Sequence, residues 1–151
     1  MRARPTTSAA PTSSPGEELS NLERGRRGWD ALNQGDIDEV LRYVHPDVEW
    51  SPAQGPGGIE GTVIRGRDAY ERWVREDLPE SWEEFHGEDL EFTELSDGRV
   101  LLLGYIRARG RASGAEVRVP FGQVARFEDG MVIELLGFLD HASARKEVGL
   151  G

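Results

Sequence analysis

His45, His86 and His141 are the three side chains in this sequence whose ordinary pKa lies near neutrality, where one group can both accept and return a proton. Asp140 stands directly before His141. Paired with His86 or His141, its carboxylate would orient an imidazole base, as general acid–base catalysis requires. His86 and Asp140 are therefore the catalytic candidates. Structural roles are available to the same residues. Aspartate is a favoured helix N-cap, and Asp140 precedes a helical pattern at 142–148. His45 adjoins Pro46 at the end of another helical pattern, where a C-cap role suffices. The histidines lack the H-E-x-x-H spacing of a zinc helix. The chain has no cysteine, which excludes disulfides, thiolate nucleophiles and cysteine-based metal centres. No metal and no cofactor are expected.

A ligand site needs an apolar wall with a few placed polar groups. Strand alternation indicates where one would lie. Residues 99–111 put Val100, Leu102, Gly104, Ile106 and Ala108 on one face and Tyr105, Arg107, Arg109 and Arg111 on the other. Residues 116–128 group Val117, Val119, Phe121, Gln123, Ala125 and Phe127 against Glu116, Arg118, Val124 and Arg126. A tight turn near Ser113-Gly114 matches apolar face to apolar face and sets Arg111 opposite Glu116. Gln123 is then the one strongly polar side chain on an apolar wall. Two roles fit it: a buried amide satisfied by neighbouring backbone, or a donor or acceptor that orients a ligand. Trp29, Trp50, Trp73 and Trp82 supply aromatic mass for a core or for the walls of a cavity. His86 shares strand parity with Leu90 and Phe92, which points it inward. The arginine-rich face reads as the wet side of the sheet, or as a surface on which two copies pair.

The elements that must position these groups follow from periodicity and breakers. A helix is expected over 18–33, with Leu19, Leu22, Trp29 and Leu32 on one stripe. Gly25 and Gly28 weaken it by about 1 kcal/mol each relative to alanine, and Gly28 suggests a close approach by another element. Gly35 is a C-cap glycine. Asp36 with Glu39 fits a capping box opening a short helix, 36–44, which Pro46 stops. A strand at 48–52, a Gly- and Pro-rich loop at 53–58 and a returning strand at 59–64 come next. A third helix begins near Arg67 and carries Tyr70, Trp73, Val74 and Leu78. Four strands close the chain, at 83–95, 99–111, 116–128 and 131–139, joined by turns at Ser96-Asp97-Gly98, Ser113-Gly114 and Asp129-Gly130. Three helices before a long antiparallel meander imply an α+β fold, a curved sheet wrapped around helices.

Composition narrows the partners. Eighteen Lys plus Arg oppose 28 Asp plus Glu, for a formal charge of -10. Nucleic acid and an acidic membrane surface are both disfavoured, since phosphate binding needs a basic footprint. No apolar run approaches the roughly 20 residues of a spanning helix. Residues 1–17 are rich in Ser, Thr, Pro and Ala and lack the apolar core of a secretory signal. They read as a disordered tail on a cytoplasmic protein, with one domain over 18–151.

The segments A-L-N-Q-G-D, Y-V-H-P-D-V-E-W, R-F-E-D-G-M-V-I-E and G-F-L-D-H-A-S-A-R-K-E-V-G-L, spread over about residues 19–150, resemble the nuclear transport factor 2-like superfamily, in particular its SnoaL-like branch. The resemblance implies a cone with one deep apolar pocket, a shell shared by isomerases, cyclases, epoxide hydrolases and binding proteins. It also implies a homodimer through the outer sheet face. By this likeness the general-base Asp of the ketosteroid isomerases falls at or near Pro52, their oxyanion-hole Asp at about Gln123 and their oxyanion Tyr near Gly28. The Asp-Arg-Asp set of the epoxide hydrolases puts its last Asp near Gly137 and the earlier one again near Gln123. None of these carboxylates is present. The expectation is a protein that binds a small, mainly apolar molecule through Trp29, Trp50, Trp73, Leu102, Phe121, Gln123 and Gly137. Two alternatives stay open. One is an isomerase, cyclase or hydrolase that moves a proton on a polyketide- or terpenoid-like substrate; the other is a non-catalytic dimeric assembly domain.

Overall fold

A computed structural model of the chain describes residues 19–54 and 63–150. The tail expected at 1–17, most of the Gly- and Pro-rich loop and the start of the strand expected at 59–64 lie outside the described residues. Helix α1 (Asn21–Gln34) opens at Ser20, whose hydroxyl accepts from the Glu23 N–H at 3.1 Å. It closes at Gly35, with φ 77°, where the Gly35 and Asp36 N–H groups return to the Leu32 and Ala31 carbonyls as in a Schellman motif. Helix α2 (Ile37–Leu41) is capped by the Asp36 carboxylate on the Glu39 N–H. It is shorter than its apolar pattern, because strand β1 (Val44–Gln54) begins at Val44, four residues before the expected start. Pro46 denies His45 a helical backbone, and Val44 pairs instead with Val132. After the two-residue strand β2 (Ile64–Arg65), helix α3 (Arg67–Arg72) runs through a π-helical turn at Trp73–Asp77 into α4 (Leu78–Ser81).

Strands β3 (Trp82–Glu94), β4 (Val100–Gly110), β5 (Glu116–Glu128) and β6 (Met131–Phe138) form the expected antiparallel meander. The six strands make one curved, unclosed sheet in the order β2-β1-β6-β5-β4-β3, and β1 joins β6 in parallel. The β4–β5 pairing keeps the expected faces but not the expected register. Arg109, not Arg111, stands opposite Glu116. The connection spans 110–115, closed by the Gly110 N–H on the Ala115 carbonyl, with Gly114 at φ 72°. Arg111 has left the ladder, and its N–H and Nε donate to the Ser81 and Pro79 carbonyls.

The sheet carries a core on each face. On the concave face Trp50, Tyr70, Val74, Val48, Ala125, Val132 and Leu135 pack with Ala31, Val40 and Val44 of the N-terminal helices and strand. On the convex face Leu101, Leu103, Val124 and Phe138 pack under Ala144 of the closing helix α5 (His141–Glu147). Gly122 makes that docking possible, because a Cβ there would lie 2.5 Å from the Ala144 Cβ. Gly28 does not serve the close approach expected of it: a Cβ at that position would meet nothing within 4 Å.

Candidate functional site

Beneath α1 the concave face encloses a cavity of about 120 Å3. Trp29, Trp50 and Trp73 wall it together with Leu102, Phe121 and Gln123. Five elements hold these six side chains, β5 supplying both Phe121 and Gln123. Trp50 of β1 meets Trp73 edge-on at 4.2 Å between ring centroids and Tyr70 at 5.7 Å. Trp29 of α1 meets Phe121 of β5 at 5.8 Å, also edge-on. Such edge-to-face contacts fix ring planes as well as fill space. Leu102 and Gln123 are direct cross-strand partners, so they share the concave face as alternation requires.

The Trp29 Nε1–H donates to Gln123 Oε1 at 3.0 Å across 94 residues of chain. An indole N–H can only donate, so the amide oxygen must be the end that receives it. The Gln123 NH2, a pure donor, is left as the amide's free end on a mainly apolar wall. The Trp29 ring is itself seated on Gly87 of β3, where a Cβ would come within 2.8 Å of Trp29 Cζ3. Asn33 clamps that glycine from α1, with its Oδ1 accepting from the Gly87 N–H at 2.9 Å and its Nδ2 donating to the Gly87 carbonyl at 3.0 Å. Burial pushes the Tyr70 phenol up to about 12, so it is a neutral hydroxyl throughout the physiological range. Arg24 is buried in the same wall, beside the β5–β6 turn, and donates to Asn21 Oδ1 at 2.9 Å.

His86 is not in this wall. It stands opposite Arg107, on the convex face between Glu84 and Glu88, and borders a separate open groove with Trp82 and Arg111. The inward parity expected of it fails at a bulge between Glu88 and Glu91, where Asp89 takes φ 51°. Residues after the bulge, such as Phe92, face the cavity, whereas its even-numbered neighbours before the bulge face out. Asp140 lies with α5 on the convex side. Its carboxylate caps that helix, accepting from the Ser143 N–H at 2.6 Å and the Ser143 hydroxyl at 2.8 Å. Those bonds hold it below its ordinary carboxylate pKa. His141 joins its Nε2 to the Gly104 carbonyl at 2.7 Å and meets Tyr105 edge-on. Neither imidazole pairs with Asp140 by a hydrogen bond. Gly137, beside Gln123 in the β5–β6 register, is buried but does not line the cavity.

His45, Glu128 and Asp129 are close enough to share a cation. His45 Nδ1 already accepts the Asp47 N–H at 2.9 Å. A neutral imidazole has one lone-pair nitrogen, so Nε2 carries the hydrogen and turns it toward Glu128, 3.5 Å away. That favours a hydrogen-bonded imidazole over a metal ligand. Sequence reading missed Asn33, Gly87, Arg24, Tyr70 and Phe85 as parts of the site or its supports. For Gly87 a signal was present, since a glycine inside a strand marks close approach of another element.

The SnoaL-like domain family matches residues 26–135. The aklanonic acid methyl ester cyclase AcmA of Streptomyces galilaeus is 30% identical over 120 residues, covering 76% of this chain and 73% of that protein. An NTF2-like protein of unknown function from Burkholderia pseudomallei K96243 superposes with TM-score 0.69 at 25% identity, covering 85% of this chain and 97% of its own. A candidate polyketide cyclase from Pseudomonas putida KT2440 does so with TM-score 0.71 at 16% identity, covering 82% and 94%.

Proposed function

Because the chain belongs to the SnoaL-like domain family, we propose that it binds a small, mainly apolar molecule bearing a carbonyl or comparable acceptor in the cavity beneath α1. The observation that carries this reading is the Trp29–Gln123 hydrogen bond. It fixes the amide so that its donor end remains for an acceptor atom on the ligand, while the aromatic wall takes the ligand's carbon skeleton. An apolar cavity of roughly 150 Å3 is known to stay dry and accept a single aromatic ring, which sets the scale of the ligand portion that fits here.

Acetophenone and ethylbenzene share a skeleton and differ in one carbonyl, so titration calorimetry with the pair tests the reading. The expected result is tighter binding of acetophenone, by about tenfold for one net hydrogen bond, and loss of the difference in Gln123→Leu. Equal affinities in the native protein would sink it.

Proton-transfer catalysis, as in isomerisation or cyclisation, is the second reading, and the 30% identity to a cyclase favours it. There Gln123 would hold a developing oxyanion. That chemistry needs a base at the ligand, and the described cavity wall offers no carboxylate and no imidazole. Binding without turnover therefore leads. Conversion of aklanonic acid methyl ester, followed by liquid chromatography and abolished by Gln123→Leu, would reverse that order. A cytoplasmic location belongs to the same proposal. So does pairing of two copies through the outer sheet face, which carries Arg107, Arg109, Arg118 and Arg126. Sedimentation at micromolar concentration showing only monomer would reject the pairing.

A further inference from the structure

We infer that Gly28 sets the size of ligand the cavity admits. The inference rests on the binding reading above but stands on separate observations. Glycine is the costliest residue in a helix interior apart from proline, and α1 carries two. Gly25 has neighbours: a Cβ there would touch the Phe92 ring at 3.8 Å and Val100 Cγ1 at 3.9 Å, ordinary contact distances. Gly28 has none within 4 Å, and its backbone is not in the left-handed region that would require glycine. No packing or conformational demand therefore explains it. What Gly28 does border is the cavity, between Trp29 and Arg24 in the same wall. A side chain at this position would grow into open space from the floor of α1, next to the ring that orients Gln123. The missing side chain is thus cavity volume, held at the expense of helix propensity, and position 28 determines specificity by size.

Replacing Gly28 should therefore move stability and occupancy in opposite directions, an outcome that a purely structural glycine does not give. Without ligand, Gly28→Ala is expected to unfold about 2–4 °C above the native protein, the shift that relief of one helix glycine gives in a domain of this length. Its affinity for acetophenone should fall about tenfold or more, as a well-filled site rejects extra volume. Xenon uptake, followed by 129Xe NMR under pressure, should fall in parallel, and Gly28→Leu should abolish both. A lowered unfolding temperature in Gly28→Ala would overturn the inference, as would unchanged acetophenone affinity together with unchanged xenon uptake. Native protein that takes xenon but not acetophenone, with uptake reduced by Gly28→Ala, would reject the binding reading and uphold the volume role. Native protein that takes neither would overturn both.

Discussion

The two faces of one sheet divide chemistry from its appearance. On the convex face stand the side chains with the most reactive-looking types: His86, Asp140, His141 and the arginines. All but His86 are consumed by structure, His141 on the Gly104 carbonyl. Arg107 reaches Glu84, Glu88 and Glu116, Arg118 reaches Glu88 and Asp89 while its guanidinium lies 4.0 Å over the Tyr105 ring, and Asp140 caps α5. On the concave face the types are bland, three tryptophans, a leucine, a phenylalanine and one amide, yet they surround the cavity and leave a donor free in it. A residue's chemistry depends on which side of the sheet its strand parity sends it and on whether its bonds are already spent.

Paired glycine substitutions would break this division most strongly. A Cβ at Gly87 would strike the Trp29 ring at 2.8 Å, and one at Gly122 would strike the Ala144 Cβ at 2.5 Å. Both neighbours are rigid, so Gly87→Ala and Gly122→Ala should each cost about 1–3 kcal/mol in urea unfolding. Only Gly87→Ala should also weaken acetophenone binding, because only it moves the ring that holds Gln123. Equal loss of binding in Gly122→Ala would mean that the two faces are coupled.

Trp29→Phe is the narrower cut. It keeps most of the ring and removes the N–H, leaving Gln123 Oε1 without that donor, at about 1–2 kcal/mol. The amide can then turn over, and discrimination between acetophenone and ethylbenzene should vanish. Tyr70 gives a concave-face signature in pH. Its folded pKa is raised from 10.0 to about 12 by burial. A raised acid holds its proton more tightly when folded, so its contribution is complete below pH 10 and is lost as pH climbs through about 12. Tyr70→Phe should flatten the fall in stability over that window, measured by urea titrations at successive pH values.

Much of the scaffold was legible in the sequence, because its signals are local. Gly35, the Asp36 cap and the turn at Asp129-Gly130 each declare themselves within a few residues, and alternation assigned Leu102, Phe121 and Gln123 to one wall. What was not legible depends on distant partners. The length of β1 is set by pairing with β6, some 85 residues on, which overrides the helical pattern before Pro46. The side of His86 is set by the bulge at Asp89, and one extra residue reverses every later side chain. Arg111 leaves the ladder because the Pro79 and Ser81 carbonyls offer it better partners than Glu116 does. The site residues supplied by the scaffold, Asn33 and Gly87, became visible only once α1 lay across β3.

The smallest expected effect belongs to the convex charges and tests whether they are as structural as they look. Hydrogen bonds from Arg107 and then Arg118 hold the Glu88 carboxyl below its ordinary value. A depressed acid binds fewer protons folded than unfolded, so stability falls as pH drops through the folded pKa, and the contribution is complete above the ordinary carboxylate range. Glu88→Gln should therefore reduce the acid-side slope of unfolding free energy and change little at neutral pH. The side chains are about one-third exposed, 31% for Glu88 and 33% for Arg107, so water and salt screen the pair and the change should shrink further at high ionic strength. Acetophenone affinity should not move between pH 5 and 8 in either protein, since the described cavity wall holds no group that titrates there. An affinity that follows Glu88 would place the convex network in the site after all and undo the division between the faces.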